Sequence, residues 1–195
     1  MISLFKKLQH RLFGPLPADP DDPMPYLRTR PPGCLSGFVT TPIDRAMDKL
    51  DGHGSPWNTF FEIRCTCGSA DHFVLGYYVI NWRNKEVFVG PLALECGSCN
   101  KVTELLDTAI HGYNGKLCGG GTTLRGSGPR AKFKCGTCGV QPFATILRFE
   151  YGAEGVYDDD DFFRRDAQDV FDWFTLLGRC ENCQRELRVT DFECA

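Results

Sequence analysis

Eight of the eleven cysteines in this 195-residue chain fall into four close pairs. The pairs are Cys65/Cys67, Cys96/Cys99, Cys135/Cys138 and Cys180/Cys183, and they form two matched sets. Twenty-eight residues separate Cys67 from Cys96, and forty-one separate Cys138 from Cys180. Such an arrangement leaves little freedom, because each set has to bring four thiols to one place at the ends of short segments. The N-terminal stretch "MISLFKKLQHRLFGP" has no uninterrupted apolar core of the secretory kind. No apolar run reaches the roughly 20 residues that span a bilayer. The expectation is therefore a cytoplasmic chain without a transmembrane segment. In a reducing compartment thiols stay free, so paired spacing points to metal rather than to disulfides.

The segments between the pairs have β texture. "FFEIRC", "HFVLGYYVI", "EVFVGPLALEC" and "KVTELL" are short and rich in aromatic and β-branched residues. The same texture returns in "AKFKC", "FATILRFEY", "VFDWFTLLGRC" and "ELRVTDFEC". Each series has a Cys pair and a glycine, then two β segments, then a second Cys pair and a polar strand. One unit used twice is the simplest reading. On that alignment "CTCG" takes the place of "CGTCG", as a knuckle shortened by one residue.

Four thiolates at tetrahedral corners are the preferred surroundings of a structural zinc ion. A Cys-x-x-Cys turn points two sulfurs at one ion, and a glycine after the second Cys, as at Gly68 and Gly139, permits a left-handed backbone there. The pattern of "CGTCG" and "CENC" resembles the zinc-ribbon fold group, in which two Cys knuckles are joined by a β-hairpin. "CTCG" departs from it by its single-residue spacer. The resemblance covers residues 60–108 and 131–193 and implies two structural Zn2+ ions. Cys65, Cys67, Cys96 and Cys99 would hold the first, and Cys135, Cys138, Cys180 and Cys183 the second. His72 is the nearby residue that could replace a cysteine in the first set. Rubredoxin-like iron is the alternative ion. Losing Cys65 should destabilise the first unit and release about one ion, leaving the second largely bound.

The predicted fold class is small, β-rich and metal-stabilised, with two tandem zinc-ribbon-like units behind a short helical N-terminal region. Residues 1–57 hold two predicted helices and a proline-rich tether. Residues 58–113 form the first unit, 114–130 a glycine-rich basic linker, and 131–195 the second unit with an acidic insertion. In residues 2–13, Ile2, Phe5, Leu8 and Leu12 share one helical face and Lys6, Lys7, His10 and Arg11 largely the other. Residues 15–33 carry seven prolines and read as an extended tether. Thr41 as N-cap and Pro42 at the first position predict a helix over 42–51. Residues 112–129, with seven glycines, read as a loop.

No His-Glu-x-x-His, Gly-x-Ser-x-Gly or phosphate-loop motif is present, and a closed set of four thiolates offers no open metal position. The expectation is a non-enzymatic protein. A thiol enzyme using Cys118 with His111 is the weaker alternative; Cys34, Cys118 and Cys194 have no matching partners. The net charge of −3 argues against a chain built mainly to hold nucleic acid. Residues 149–172 carry nine acids against Arg164 and Arg165. Asp158, Asp159, Asp160 and Asp161 with Phe162 and Phe163, followed by "VFDWF", offer charge and aromatics to a basic protein partner. A bacterial inhibitor or immunity-type protein is one concrete form. The five cations Lys116, Arg125, Arg130, Lys132 and Lys134 make a nucleic-acid-associated zinc ribbon the alternative.

Overall fold

The computed structural model describes residues 22–45, 57–118, 125–158 and 163–194. Among these residues the fold is mostly β: one curled, antiparallel sheet of nine strands. The strands are β1 (Val39–Ile43), β2 (Trp57–Arg64), β3 (Asp71–Ile80), β4 (Glu86–Cys96), β5 (Val102–Leu106), β6 (Ala131–Lys132), β7 (Phe143–Tyr151), β8 (Trp173–Cys180) and β9 (Glu186–Glu193). Eight of them coincide with the apolar, β-branched runs picked out from the sequence; β1 does not. Three short helices accompany them: α1 (Met24–Thr29), α2 (Gly112–Leu117) and α3 (Ala153–Val156). Among the described residues no helix is long and apolar enough to cross a membrane.

The internal repeat is visible in the strand register. β3 and β7 meet antiparallel at their first residues, with His72 opposite Phe143 and Asp71 opposite Ala144. Further along β3, Leu75 faces Lys132 of β6. Further along β7, Ile146 faces Glu62 of β2. Glu62 lies three residues before Cys65, and Lys132 lies three residues before Cys135. The strand leading into each first knuckle is thus paired to the other half of the chain. The two halves exchange their lead strands about a local two-fold relation, and a single sheet results.

The core lies within the curl. Phe149 stands at its centre and meets Phe61, Phe171 and Phe174 edge to face at centroid distances of 6.2, 4.8 and 5.4 Å, in the range favoured by ring quadrupoles. Phe174 stacks in turn on Phe192. On β7 the burial is continuous from Leu147 to Tyr151, as expected of a strand covered on both faces. The acidic insertion contributes to this core, since Val156, Ala167, Val170 and Phe171 are all buried. The aromatics of "VFDWF" that the sequence offered as partner anchors therefore include two, Phe171 and Phe174, that are fully committed inside.

Three local expectations change. The stretch 15–33 is not an extended tether in its described part. Met24–Thr29 is helical, with Pro23 and Pro25 in the first turn, where a missing N–H leaves nothing unsatisfied. Tyr26 and Leu27 are buried, and the Tyr26 hydroxyl donates to the Arg165 carbonyl at 2.6 Å. Second, Thr41 and Pro42 do not start a helix. They lie in β1, where Pro42 faces Phe61. A proline lacks the N–H of a ladder bond but is tolerated on an edge strand, and β1 pairs only with β2. Residues 46–51 of that predicted helix, like the helix at 2–13, lie outside the described residues. Third, the predicted loop at 112–129 begins with α2, and Arg125 in its latter part and Arg130 just beyond it are ion-paired to Asp107 and Glu104.

Because Leu27 is fully buried, Leu27→Ala should destabilise the protein by about 2–5 kcal/mol. Equilibrium urea unfolding measures this; a change below about 0.5 kcal/mol would mean that α1 behaves as a tether after all.

Candidate metal centres

The cysteine pairs sit in the turns that end β2 and join β4 to β5, and in the turns that end β6 and join β8 to β9. In each of these second turns the first cysteine closes the hairpin twice. The Cys96 N–H donates to the Lys101 carbonyl and its own carbonyl accepts from Asn100. Cys180 does the same with Arg185 and Gln184. Asn100 and Gln184 take left-handed φ values of 58° and 57°. Sequence reasoning passed over both, since neither is glycine; asparagine alone carried a weak signal, being among the side chains that tolerate this region.

The lead knuckles show what one missing residue does. In the second set the Cys135 carbonyl accepts from Gly139, four residues on, at 2.8 Å. In the first set the Cys65 carbonyl accepts from Gly68, three residues on, also at 2.8 Å. Gly68 and Gly139 both take positive φ, 94° and 71°. The shorter turn tightens around the same glycine device and still delivers both sulfurs.

All four sulfurs of each set lie within 4.8 Å of one another. Cys65 Sγ is 3.6 Å from Cys99 Sγ, and Cys67 Sγ is 3.5 Å from Cys96 Sγ. In the second set Cys135 and Cys183 are 3.7 Å apart, and Cys138 and Cys180 are 3.6 Å apart. A tetrahedral ion with bonds of about 2.3 Å to sulfur requires edges of about 3.8 Å. A disulfide would require about 2.05 Å. The donor sets therefore fit tandem tetrathiolate metal sites. Cys65, Cys96, Cys135 and Cys180 are buried, while Cys67 and Cys99 are exposed and Cys138 and Cys183 half-buried, so each set has a protected side and a solvent side.

The electrostatics suit a cation. Backbone N–H groups of Cys138 and Thr137 bring the Cys135 thiol down to about 6. Burial pushes the Cys96 thiol up, but N–H groups of Cys99 and Ser98 outweigh it and bring it to about 6 as well. The opposite corners behave otherwise. The Lys101 N–H favours the Cys99 thiolate, yet the neighbouring Cys65 and Cys96 sulfurs drive it up to about 11. At Cys183 the Arg185 N–H is outweighed by burial and by Cys135 and Cys180, which raise it to about 11. Without a cation, each set thus keeps protons that a metal ion must displace.

His72 is not one of the ligands. It is buried on β3, its Nδ1 lies 3.1 Å from Thr145 Oγ1 on β7, and burial lowers its pKa. It bridges the two halves instead. The three remaining cysteines are free thiols: Cys194 is buried, Cys34 half-buried, and Cys118 exposed at the end of α2. His111 Nδ1 accepts from the Asp107 N–H at 2.9 Å, which occupies the nitrogen and ties the ring to its own turn. Of the acidic stretch, Asp158 and Phe163 are described and residues 159–162 lie outside. The Phe163 ring packs against Tyr26 and Tyr157 at 4.7 and 6.1 Å. Comparison with protein-family models, curated proteins and solved structures finds no match.

The register also joins the sites. Cys96 faces His72, His72 faces Phe143, and Phe143 faces Cys180, in one row across the sheet. With the lead strands exchanged as well, the two sites share one sheet, and the expectation of independent release gives way to one of coupled release. Cys65→Ser should leave about one ion per chain and weaken its retention about five- to a hundredfold. Competition with a chelator, followed by native mass spectrometry, reads both quantities; unaltered retention of the second ion would refute the coupling. Metal retention should also fall as pH is lowered from 8 towards 5, because protons compete for the thiolates. A pH-independent chelator titration would contradict that.

Proposed function

We propose that this chain is a non-enzymatic zinc protein whose two tetrathiolate centres hold a β scaffold for binding another protein. The observation that carries the reading is the closure of both centres. Four sulfurs at tetrahedral spacing leave no position for a substrate or an activated water, which favours a structural ion over a catalytic one. Zinc is preferred to iron because it holds this geometry without redox chemistry. Eight cysteines grouped for metal rather than for disulfides accord with a reducing, cytoplasmic setting.

The partner surface is the acidic stretch at Asp158, Asp159, Asp160 and Asp161. Its flank is anchored: Tyr157 bridges to Phe163, the Arg164 N–H donates to the Val156 carbonyl, and Phe163 rests on Tyr26. Phe163 then serves to set the stretch on α1, and the aspartates carry the recognition. A partner with a basic surface suits this charge, as in an inhibitor or immunity-type protein that masks a basic enzyme. Nucleic acid is less supported. Arg125, Arg130 and Lys132 are paired with Asp107, Glu104 and Glu95 at 2.9, 2.6 and 2.8 Å, which removes most of the positive charge that the segment displays in sequence.

Purified protein should contain about two zinc ions per chain and lack visible charge-transfer bands; such bands would indicate iron. Changing the four aspartates at 158–161 to serine should leave metal content and melting unchanged and abolish co-purification of a specific protein from the native host. Nucleic acid co-purifying equally with both forms, without a protein partner, would reverse the choice.

A further inference from the structure

The β3–β4 hairpin and β9 enclose a groove of about 570 Å3, well within the range of ligand sites. Its lining includes every residue from Arg188 to Glu193. Side chains of a strand alternate between faces, so an unbroken run means that the groove follows the edge of β9. At about 3.3 Å per residue these six residues make a trough of about 20 Å. Its other wall is Glu86–Val89 of β4, a stretch that β5 does not reach, since β5 pairs with β4 only over Leu92–Glu95. One hydrogen bond spans the two walls, from Thr190 Oγ1 to the Phe88 carbonyl at 2.7 Å.

The groove carries an aromatic at its rim that the fold does not use. Trp82 is 85% exposed. Its exposure does not come from a loose loop. The Asn81 carboxamide accepts from the N–H groups of Arg83 and Lys85, both at 3.0 Å, and Asn84 closes the turn with a φ of 55°. The Arg83 guanidinium lies over the indole at 4.4 Å. Beneath, Phe88, Phe133 and Phe192 form an apolar floor. The charged lining comprises Glu86, Asp191 and Glu193 against Arg188; Asp191 accepts from Arg188 at 2.9 Å and from Trp173 and Thr175, so the exposed carboxylates of the rim are Glu86 and Glu193. An exposed tryptophan held over an apolar floor with an acidic rim has the make-up of a recognition surface.

We propose that this groove binds an extended segment of a partner protein in which large apolar side chains alternate with lysine or arginine. The trough's length and open side suit a peptide in extended form rather than a compact molecule. The apolar side chains lie between Trp82 and the floor, and the basic ones meet the carboxylate rim. The lining contains no residue of the stretch 158–161, so the proposal stands or falls independently of those aspartates.

The test uses full-length, metal-loaded protein and fluorescein-labelled ten-residue peptides in which lysine alternates with Phe, Trp, Leu or Val, read by anisotropy. At least one should bind saturably, with affinity falling as salt is raised. Trp82→Ala and Glu86→Lys should each weaken it about tenfold or more while metal content and melting temperature stay unchanged, as expected for exposed positions. The same peptides with glutamate in place of lysine should bind at least about tenfold more weakly. No binding by any peptide, equal binding of the glutamate series, or an affinity unmoved by Trp82→Ala would overturn the proposal. So would a concentration-dependent dimer in sedimentation velocity that Trp82→Ala abolishes, because the occupant would then be a second copy of this chain.

Discussion

Strand β7 carries the register on which everything else is built. Along one edge it meets the start of β3 and then β2; along the other it meets β8. β3 repeats the arrangement, meeting the start of β7 and then β6 on one edge and β4 on the other. Among the described residues, the ladder between β3 and β7 is only two residues long, His72 with Phe143 and Asp71 with Ala144. It would be a weak joint alone. The exchanged lead strands reinforce it, because each is pinned at its far end to a cysteine knuckle.

This explains how a chain with such short segments sustains a core. Two isolated four-cysteine hairpins would each have little apolar surface to bury, and units of that size depend on a staple. Here an ion held by either cysteine set would act as a clamp between elements that already share one sheet. The aromatic core spans both halves: Phe61 from β2, Phe149 from β7 and Phe171 from the acidic insertion are in one cluster. Losing such an ion would loosen a lead strand that belongs, by its pairing, to the other half. Metal occupancy and sheet integrity would then be linked in both directions.

The same geometry leaves the sheet incomplete as a barrel. The curl brings β4 and β9 close enough for one side-chain hydrogen bond, but among the described residues no strand ladder joins them. A strand edge left in this way is usually blunted or covered. In this protein it borders a groove with the exposed Trp82 at its rim. The feature could not have been read from the sequence, where Trp82 is one aromatic in a polar turn and β9 is the last of many similar strands.

What the sequence determined by itself was local. The spacing of eight cysteines specified both ligand sets, because a knuckle's geometry depends on a few consecutive residues and a glycine. Alternating and β-branched runs specified eight strands, and the doubled pattern specified the repeat, down to the shortened turn at Cys65-Thr66-Cys67-Gly68. Tertiary structure decided whatever depended on partners distant in the chain. Pro42 lies in a strand because Phe61 stands opposite it, and Met24–Thr29 is helical because Tyr26 and Leu27 have a core to enter. Phe171 and Phe174 look like surface anchors beside an acidic run until Phe149 is seen between them. The exchange of lead strands is the extreme case. Each is compatible by pattern with either half, and only the antiparallel meeting of β3 and β7 selects the crossed pairing.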